Sequence, residues 1–187
     1  MRTHLMLGLA LALAATSAPA DTDLARQAGE AIQARRYAEA REIYRTLAAR
    51  SPDDPDPQVW VARLSSWMKD YEAAEQSYDA VLTARPDYVD ALVGKAYLFT
   101  WQDRFAEAKV LLQRAQEVAP DDDEVDMALA RLYRAQERER TALKHVQAVL
   151  ERDPGDGDAL ELQASLEARI AEQNVFTRLA RFLSGRS

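Results

Sequence analysis

The residues with the most recognisable chemistry are arginine and tyrosine side chains that recur at a fixed spacing. Arg63, Tyr97 and Arg131 are separated by 34 residues each, and Arg134 follows Arg131 by about one helical turn. An arginine fork can hold a carboxylate through two parallel hydrogen bonds, and tyrosine offers a planar surface for stacking. The pattern therefore predicts a surface that binds a partner. A solvated face with local salt bridges is the alternative interpretation.

Two tryptophans share the same spacing. Trp67 and Trp101 are separated by this interval, and each precedes a short polar turn and an aromatic residue. Two interpretations remain open, since the indole rings can pack between structural units or can form platforms on which sugar rings stack. Trp60 is expected in the core, because the equivalent position one interval later is Gly94, which leaves room for a ring.

No group of residues has the composition of a catalytic or metal site. The chain has no cysteine and two histidines, of which only His145 lies beyond the N-terminal twenty residues, and a lone histidine on a helix is usually structural. There is no glycine-rich phosphate loop and no serine nucleophile turn. The net charge of −7 disfavours binding to nucleic acid, which depends on cationic side chains. We therefore predict that the protein is not an enzyme and holds neither a metal nor a cofactor.

An internal sequence repeat of the same 34-residue period predicts the helices that position these side chains. One proline row and two alanine rows keep this period: Pro52, Pro86, Pro120 and Pro154; Ala40, Ala74, Ala108 and Ala142; Ala28, Ala62, Ala96, Ala130 and Ala164. Within a repeat the apolar residues follow helical spacing, which predicts helices such as 58–68 and 71–84. Small alanines let two helices approach closely, and prolines mark the ends of helices.

Acidic residues also recur at the start of each predicted first helix. This row consists of Asp56, Asp90, Glu124 and Asp158. A carboxylate at such a position can accept hydrogen bonds from the free N–H groups and meets the positive end of the helix dipole. We favour the interpretation of the row as helix caps over a ligand-binding role. The acids that follow the junction prolines, as in Pro52-Asp53-Asp54 and Pro120-Asp121-Asp122, can also cap the next helix.

These rows resemble the tetratricopeptide repeat family, whose unit is a 34-residue helix-turn-helix. The resemblance implies an all-α fold, a right-handed α-solenoid of helix-turn-helix repeats with a C-terminal capping helix. It covers residues 21–154. The four repeats are placed at 21–54, 55–88, 89–122 and 123–156, and residues 157–187 form the capping helix and an amphipathic tail.

In such solenoids the first helices of successive units line a concave groove. The resemblance therefore implies that a protein or peptide partner binds there through six residues: Arg63, Trp67, Tyr97, Trp101, Arg131 and Arg134. The family's clamp for peptide C-terminal carboxylates uses lysine and asparagine at set positions, and that set is not found in this sequence. Gln27, Lys95 and Asp126 depart from the family's usual leucine or tryptophan, which predicts locally polar packing.

The first twenty residues have the pattern of a cleavable signal peptide. A basic start at Arg2 is followed by an apolar run over residues 5–15 and by small residues at Ala18 and Ala20. We predict cleavage after Ala20 and a periplasmic protein with no later transmembrane segment. Without cysteine the chain cannot carry the lipid anchor of a bacterial lipoprotein.

The turn that follows each tryptophan carries a narrower resemblance. It is similar to the repeats of periplasmic exopolysaccharide-export proteins and of the YaiO-type outer-membrane family, in which a β-barrel follows the repeats. Here we expect no barrel. The resemblance implies a non-catalytic scaffold for an envelope complex, one that functions in surface polysaccharide secretion. The alternative is an accessory protein that binds polysaccharide through stacked tryptophans.

The C-terminal tail combines apolar and basic residues at helical spacing. Its apolar stripe consists of Val175, Phe176, Leu179, Phe182 and Leu183, and its charges are Arg178, Arg181 and Arg186. The interpretation we favour is a stripe folded back on the fourth repeat. Docking to a membrane surface or to a partner helix is the alternative.

Overall fold

The part of the chain that the structure describes is helical and contains no strand. The structure, a computed structural model, describes the backbone of residues 17–184 and the side chains of residues 20–176. In chain order its helices are α1 (Ser17–Gln33), α2 (Tyr37–Arg50), α3 (Asp56–Trp67), α4 (Tyr71–Ala84), α5 (Val89–Trp101), α6 (Phe105–Val118), α7 (Asp123–Ala135), α8 (Glu139–Arg152) and α9 (Gly157–Ser184). The predicted helices 58–68 and 71–84 correspond to α3 and α4, and the all-α class is confirmed.

The chain forms two compact units, the first ending at Val81 and the second beginning at Leu82. In the first unit α2 packs against both α1 and α3. In the second unit α5 packs on α6, α7 packs on α8, and α8 packs on α9. In that unit α7 also contacts α5 and α6, which brings side chains of α5 and α7 within reach of each other.

The turn inside each helix pair has the same backbone conformation four times. Its residues with positive φ are spaced by 34: Arg35 (57°), Lys69 (62°), Asp103 (57°) and Glu137 (57°). At Lys69 the amide donates to the carbonyl of Ser66 at 3.0 Å, and the next amide, of Asp70, donates to Ser65 at 2.9 Å. These two bonds form a Schellman motif, which satisfies carbonyls that the helix end leaves free. None of the four residues is glycine, although glycine is favoured there.

The two alanine rows are buried, with one exception. Ala40, Ala108 and Ala142 have no exposed surface, and the same holds for Ala74 on α4. In the row on the first helices, Ala28, Ala62, Ala96 and Ala130 are equally buried. Ala164, the last member of that row, is exposed. Buried alanines therefore lie in both helices of each of the four repeats, as the predicted packing role requires.

The helix caps lie two residues before the predicted acidic row. Oδ1 of Asp122 accepts from the amides of Glu124 and Val125 at 2.8 and 3.1 Å, and Oδ1 of Asp156 accepts from Ala159 at 2.7 Å. Asp54 likewise accepts from the amide of Asp56 at 3.1 Å. The prediction that acids after the junction prolines cap the next helix is therefore confirmed at Asp54 and Asp122. The interpretation of Asp56, Asp90, Glu124 and Asp158 as caps was wrong, and at α5 the N-cap is Tyr88, whose side chain makes no cap bond. Those residues already lie within the first turn, where their own amides need acceptors.

Helix α9 packs on the second unit along its first half. Its residues Ala159, Leu162 and Leu166 join a buried cluster with Val146 and Val149 of α8. Farther along, Arg140 of α8 donates to the side chain of Asn174 at 3.1 Å. A helix that closes the second unit by packing on α8 matches the predicted capping helix.

The tail differs from the interpretation we favoured. Helix α9 continues without a break to Ser184, and Val175 and Phe176 are 64% and 71% exposed. At these two positions the apolar stripe is therefore not folded back on the fourth repeat. The side chains of Leu179, Phe182 and Leu183 and of Arg178, Arg181 and Arg186 lie outside the described residues.

Two predictions concern the N-terminal segment and the membrane. The predicted signal peptide, residues 1–20, lies outside the described residues except for 17–20, which form the first turn of α1. Among the helices that the structure describes, none combines the length and the apolar character needed to span a bilayer.

Candidate functional site

In the first unit, the predicted residue Trp67 belongs to an aromatic cluster formed by Tyr37, Tyr44, Trp60 and Trp67, and the predicted Arg63 lies against this cluster. The ring of Trp67 lies 5.5 Å from that of Tyr37 and 6.2 Å from that of Trp60, measured between centroids. Trp60 in turn stacks on Tyr44 at 5.3 Å with only 10° between the ring planes. The guanidinium carbon of Arg63 is 5.4 Å from the centre of Trp60, a cation–π distance. Arg63 is thus held by an aromatic ring on its own helix.

The tryptophans combine features of both interpretations. Trp67 keeps 40% of its surface in solvent, and Trp101 keeps 50%. Each indole packs on neighbouring rings on one side, as Trp67 does on Tyr37 and Trp60, and leaves part of its ring in solvent. Trp60, expected in the core, is only partly buried and stacks on Tyr44 instead.

A crevice of about 380 Å³ opens beside the Tyr44 and Trp60 pair. Its walls come from the start of α1, the end of α2 and the start of α3, and they carry three carboxylates, those of Asp21, Asp54 and Asp56. Asp21 is paired with Arg50 at 2.7 Å. Burial raises the pKa of the Tyr44 phenol, so this hydroxyl stays protonated and can donate a hydrogen bond. Flat rings beside hydrogen-bonding groups suit a ligand with an apolar face and a polar edge.

In the second unit, three of the predicted residues form a layered stack. The rings of Tyr97 and Trp101, one turn apart on α5, lie 6.3 Å from each other with 20° between their planes. The guanidinium carbon of Arg131, on α7, is 5.8 Å from the centre of the Tyr97 ring. Tyr97 therefore has Trp101 on one side and Arg131 within cation–π distance.

Arg131 also borders a cleft that contains the sixth predicted residue. This cleft of about 270 Å³ is lined by Arg131, Arg134, Asp158, Glu161, Leu162 and Ser165. Nη2 of Arg131 lies 3.5 Å from a carboxylate oxygen of Asp158, a long and solvent-exposed ion pair. Two cations and two anions line the same space, so the cleft is suited to a ligand with both donors and acceptors, such as the backbone and side chains of a peptide.

The structure therefore brings together four of the six predicted residues, namely Tyr97, Trp101, Arg131 and Arg134. We call these four the second-unit platform. Arg63 and Trp67 lie in the first unit with the aromatic cluster. Sequence reasoning did not assign Tyr37 and Tyr44 to a site, although both occupy rows with the 34-residue period. Their aromatic character in those rows was the signal that could have identified them.

The lone histidine has a structural explanation. Nδ1 of His145 lies 3.0 Å from Oδ1 of Asp126, a carboxylate that is nearly fully buried. The other oxygen of Asp126 accepts from Arg152 at 2.6 Å, and the His145 ring stacks on Tyr133. Hydrogen bonds with Asp126 and then Asp123 raise the pKa of Arg152, so the buried carboxylate always faces a charged partner. His145 and Arg152 thus satisfy the carboxylate that Asp126 introduces at a position where the family often has tryptophan.

No cluster of three or more histidine, cysteine or acidic residues that could hold a metal occurs in the described part of the chain. Several acidic residues there are bonded as helix caps or to arginines, as at Asp122 and Asp126. This arrangement stabilises helices rather than providing a set of free ligands.

Comparison with known proteins identifies the family. A model of the tetratricopeptide repeat matches residues 31–96, 68–132 and 99–166, which together span well over half of the chain. The chain belongs to the tetratricopeptide repeat family, whose members are generally non-catalytic scaffolds for protein–protein interaction. A search of curated proteins finds no match.

Solved structures of similar fold come from bacteria and yeast. MamA of Desulfovibrio magneticus RS-1, from residue 41 to its end, is 18% identical with a TM-score of 0.60, over 89% of this chain and 97% of that one. PilF of Pseudomonas aeruginosa is 16% identical with a TM-score of 0.66, over 82% of this chain and 70% of that one. Yeast Tom70 is 19% identical with a TM-score of 0.65, over 88% and 36% respectively. At these identities the likeness concerns the fold alone.

Proposed function

We propose that the protein is a non-catalytic scaffold that binds an extended segment of a partner protein on the second-unit platform. The observation that carries this proposal is the stack of Trp101, Tyr97 and Arg131, which continues into the cleft beside Arg134. An exposed indole supplies apolar contact area, and the arginines supply donors for carboxylate or carbonyl groups. Aromatic residues and arginine are the types that dominate the energy of protein interfaces.

Substitution of Arg131 and Arg134 gives the most direct test of this proposal. Capture of interacting proteins from an envelope extract should succeed with the wild-type chain. It should fall about tenfold or more with Arg131→Ala/Arg134→Ala, because one lost charge-assisted hydrogen bond is worth about 1.5–3 kcal/mol. The contact of Arg131 with Asp158 is long and solvent-exposed. Because exposed ion pairs contribute little, we expect a loss of binding free energy at the lower end of that range.

A matched control is available on the second helices of the same unit. Lys109 on α6 and Lys144 on α8 are both exposed, and Lys109→Ala/Lys144→Ala removes the same charge. This control should retain the partner. Equal capture by both double variants would contradict the proposal, as would loss of helical signal in the arginine variant, which would show that the arginines support the fold.

We further propose that the scaffold acts in the periplasm, within an envelope complex for surface polysaccharide secretion. The signal-like residues 1–20 and the tryptophan-turn motif support this assignment. Deletion of the gene should lower surface polysaccharide, and the chain with Arg131→Ala/Arg134→Ala should fail to restore it. Normal polysaccharide in the deletion strain would contradict the pathway but not the binding surface.

A second candidate function is binding of polysaccharide itself, which the exposure of Trp67 and Trp101 favours. Titration with neutral and acidic oligosaccharides should then change tryptophan fluorescence and release or absorb heat in calorimetry. The calorimetric heat should be absent for Trp67→Ala/Trp101→Ala. Val110→Ala, at an exposed apolar residue of α6, provides the control. Absence of heat with every oligosaccharide would exclude this candidate.

A further inference from the structure

The crevice beside Tyr44 and Trp60 is a concave site separate from the second-unit platform. It lies wholly within the first unit, between the start of α1, the end of α2 and the start of α3. Its volume of about 380 Å³ falls within the range of about 300–1,000 Å³ that is usual for small-molecule sites. Neither Arg63 nor Trp67 is among the described residues that line it. We call it the first-unit crevice.

Apolar side chains form much of the wall of the first-unit crevice. They are Ala25, Tyr44, Leu47, Pro57 and Trp60. Leu47 and Pro57 are buried, whereas Tyr44 and Trp60 are half-buried and stack at 5.3 Å between ring centroids. An aliphatic chain would gain free energy by leaving water for this wall.

The polar lining of the crevice carries negative charge. It consists of Asp21, Thr22, Ser51, Asp54 and Asp56, and none of the described lining residues is lysine, arginine or histidine. Arg50 pairs with Asp21 at 2.7 Å, which opposes one of the three carboxylates. Asp54 accepts a hydrogen bond from the amide of Asp56, but such a bond does not neutralise a carboxylate. The crevice therefore favours a cationic group over a neutral or anionic one.

The aromatic pair in this wall is particular to the first repeat. In the row of Tyr44 the later residues Tyr78, Leu112 and Val146 are at most 1% exposed. In the row of Trp60 the later residues are Gly94, Ala128 and Leu162. The repeat fold therefore does not require a half-buried ring pair at this junction, and packing alone does not account for it.

We propose that the first-unit crevice binds a primary ammonium group carried on an aliphatic stem. The stem packs on the apolar wall, and the ammonium group pairs with the carboxylates of Asp54 and Asp56. A lysine side chain has this form, since its four-carbon stem can be buried while its charged head stays among polar groups. A free aliphatic amine has the same chemistry. The proposal rests on first-unit residues alone and is independent of what binds the second-unit platform.

The test is an NMR titration of the isotope-labelled full chain with butylamine, which reproduces the lysine side chain. The indole N–H signal of Trp60 reports binding and is assigned by its absence in Trp60→Phe. The full chain is used because cleavage after Ala20 would place a further ammonium group, the amino group of Asp21, beside the crevice. We expect a saturable shift with a dissociation constant in the millimolar range, as is usual for so small a ligand. Butanol, which has a neutral hydroxyl in place of the ammonium, should bind more weakly.

Substitutions of charged residues test the role of the carboxylates. Asp56→Asn should weaken binding about fivefold, the effect of one nearby opposite charge in a solvated site. Glu72→Gln removes the same charge from an exposed position of α4 and should leave the affinity unchanged. Arg50→Gln should act in the opposite direction and strengthen binding, because it removes the cation that pairs with Asp21.

A second pair of variants keeps the charges constant and tests the apolar wall. Ala25→Leu fills the crevice from an exposed position of α1 and should abolish the shift. Ala49→Leu, at an exposed position of α2 outside the described lining, should retain it.

Three results would overturn the proposal: no shift with butylamine, equal affinity for butanol, or equal affinity of wild type and Asp56→Asn. A blocked tripeptide with a central lysine distinguishes the two sources of the ammonium group. Tighter binding of the tripeptide than of butylamine assigns the crevice to a segment of a protein, and weaker binding assigns it to a free amine.

Discussion

Nε of Arg169 lies 3.0 Å from a carboxylate oxygen of Glu139, which joins α9 to the start of α8. Glu139 is only 2% exposed and occupies the row in which the preceding repeats have Tyr37, Tyr71 and Phe105. A buried carboxylate replaces an aromatic ring at the point where the last helix docks. The ion pair therefore makes docking of α9 depend on charge as well as on the apolar cluster.

The Glu139 carboxylate should make the stability of the second unit depend on pH. A hydrogen bond from its own backbone N–H lowers the pKa of Glu139, and bonds from Gln173 and Arg169 add to this effect against the opposing effect of burial. Because the folded-state pKa is lowered, the group stabilises the fold above its unfolded-state pKa, and this contribution is lost as the pH falls through the folded-state pKa.

We therefore expect the thermal midpoint to fall below about pH 4 and expect Glu139→Gln to flatten that dependence. Circular-dichroism melts between neutral and acid pH would measure it. Glu151→Gln, an exposed glutamate on the same helix, is the control and should keep the wild-type slope. Parallel pH curves for wild type and Glu139→Gln would show that the pair is energetically neutral.

The alanine rows give a prediction about packing. Ala108 has no exposed surface where α6 packs in the second unit, so Ala108→Leu must displace its neighbours. We expect a loss of roughly 1–3 kcal/mol in the free energy of unfolding. Ala106→Leu, two residues earlier at an exposed position of the same helix, should change it little. Denaturant titrations would compare the two, and an unchanged midpoint for Ala108→Leu would refute close packing at this site.

The periodic rows were sufficient to predict the helices, because burial and helix ends depend on spacing along one chain. The pair formed by Tyr97 and Arg131 also follows from the 34-residue register. The pairs formed by Tyr44 with Trp60, and by Asp126 with His145, could not be predicted in this way. Unlike Tyr97 and Arg131, their members do not occupy equivalent positions of the repeat, and their distances depend on how far each helix is rotated toward its neighbour.

The helix caps and the C-terminal tail also depend on structural detail that the sequence pattern does not contain. The sequence offered both Asp122 and Glu124 as caps of the same helix, and only the backbone shows which carboxylate reaches a free amide. The exposure of Val175 and Phe176 could not be predicted, because it depends on where α9 ceases to contact α8. A pattern of apolar residues does not contain that information.

The four left-handed turn residues give a prediction in the stabilising direction. Glu137 has φ of 57° at an exposed position, where a side chain on Cβ is unfavourable and glycine is not. Glu137→Gly should raise the free energy of unfolding by about 0.5–1 kcal/mol, after allowance for the greater flexibility of glycine in the unfolded chain. Gln113→Gly, at an exposed site within α6, should lower it by about the same amount. Denaturant midpoints that shift in the same direction for both variants would contradict this account.

A further prediction concerns export and the N-terminal residues 1–20, the last four of which begin α1. If residues 1–20 are a signal peptide, Ala18→Leu/Ala20→Leu should leave the precursor uncut, because signal peptidase requires small residues at these positions. Intact mass spectrometry of protein from the cell envelope would distinguish the two forms. Wild-type protein that still begins with Met1 would show that the segment is retained.

The four left-handed turns have a consequence for the evolution of such a chain. They lie at Arg35, Lys69, Asp103 and Glu137. Each turn is made by backbone hydrogen bonds and tolerates four chemically different residues. After duplication or loss of one whole repeat, every remaining helix pair would still contain a turn with this backbone conformation, so no new turn structure would be needed. Relatives with more or fewer helix pairs are therefore expected to differ by whole units, and recombination points inside the pairs should be tolerated as well as those between them.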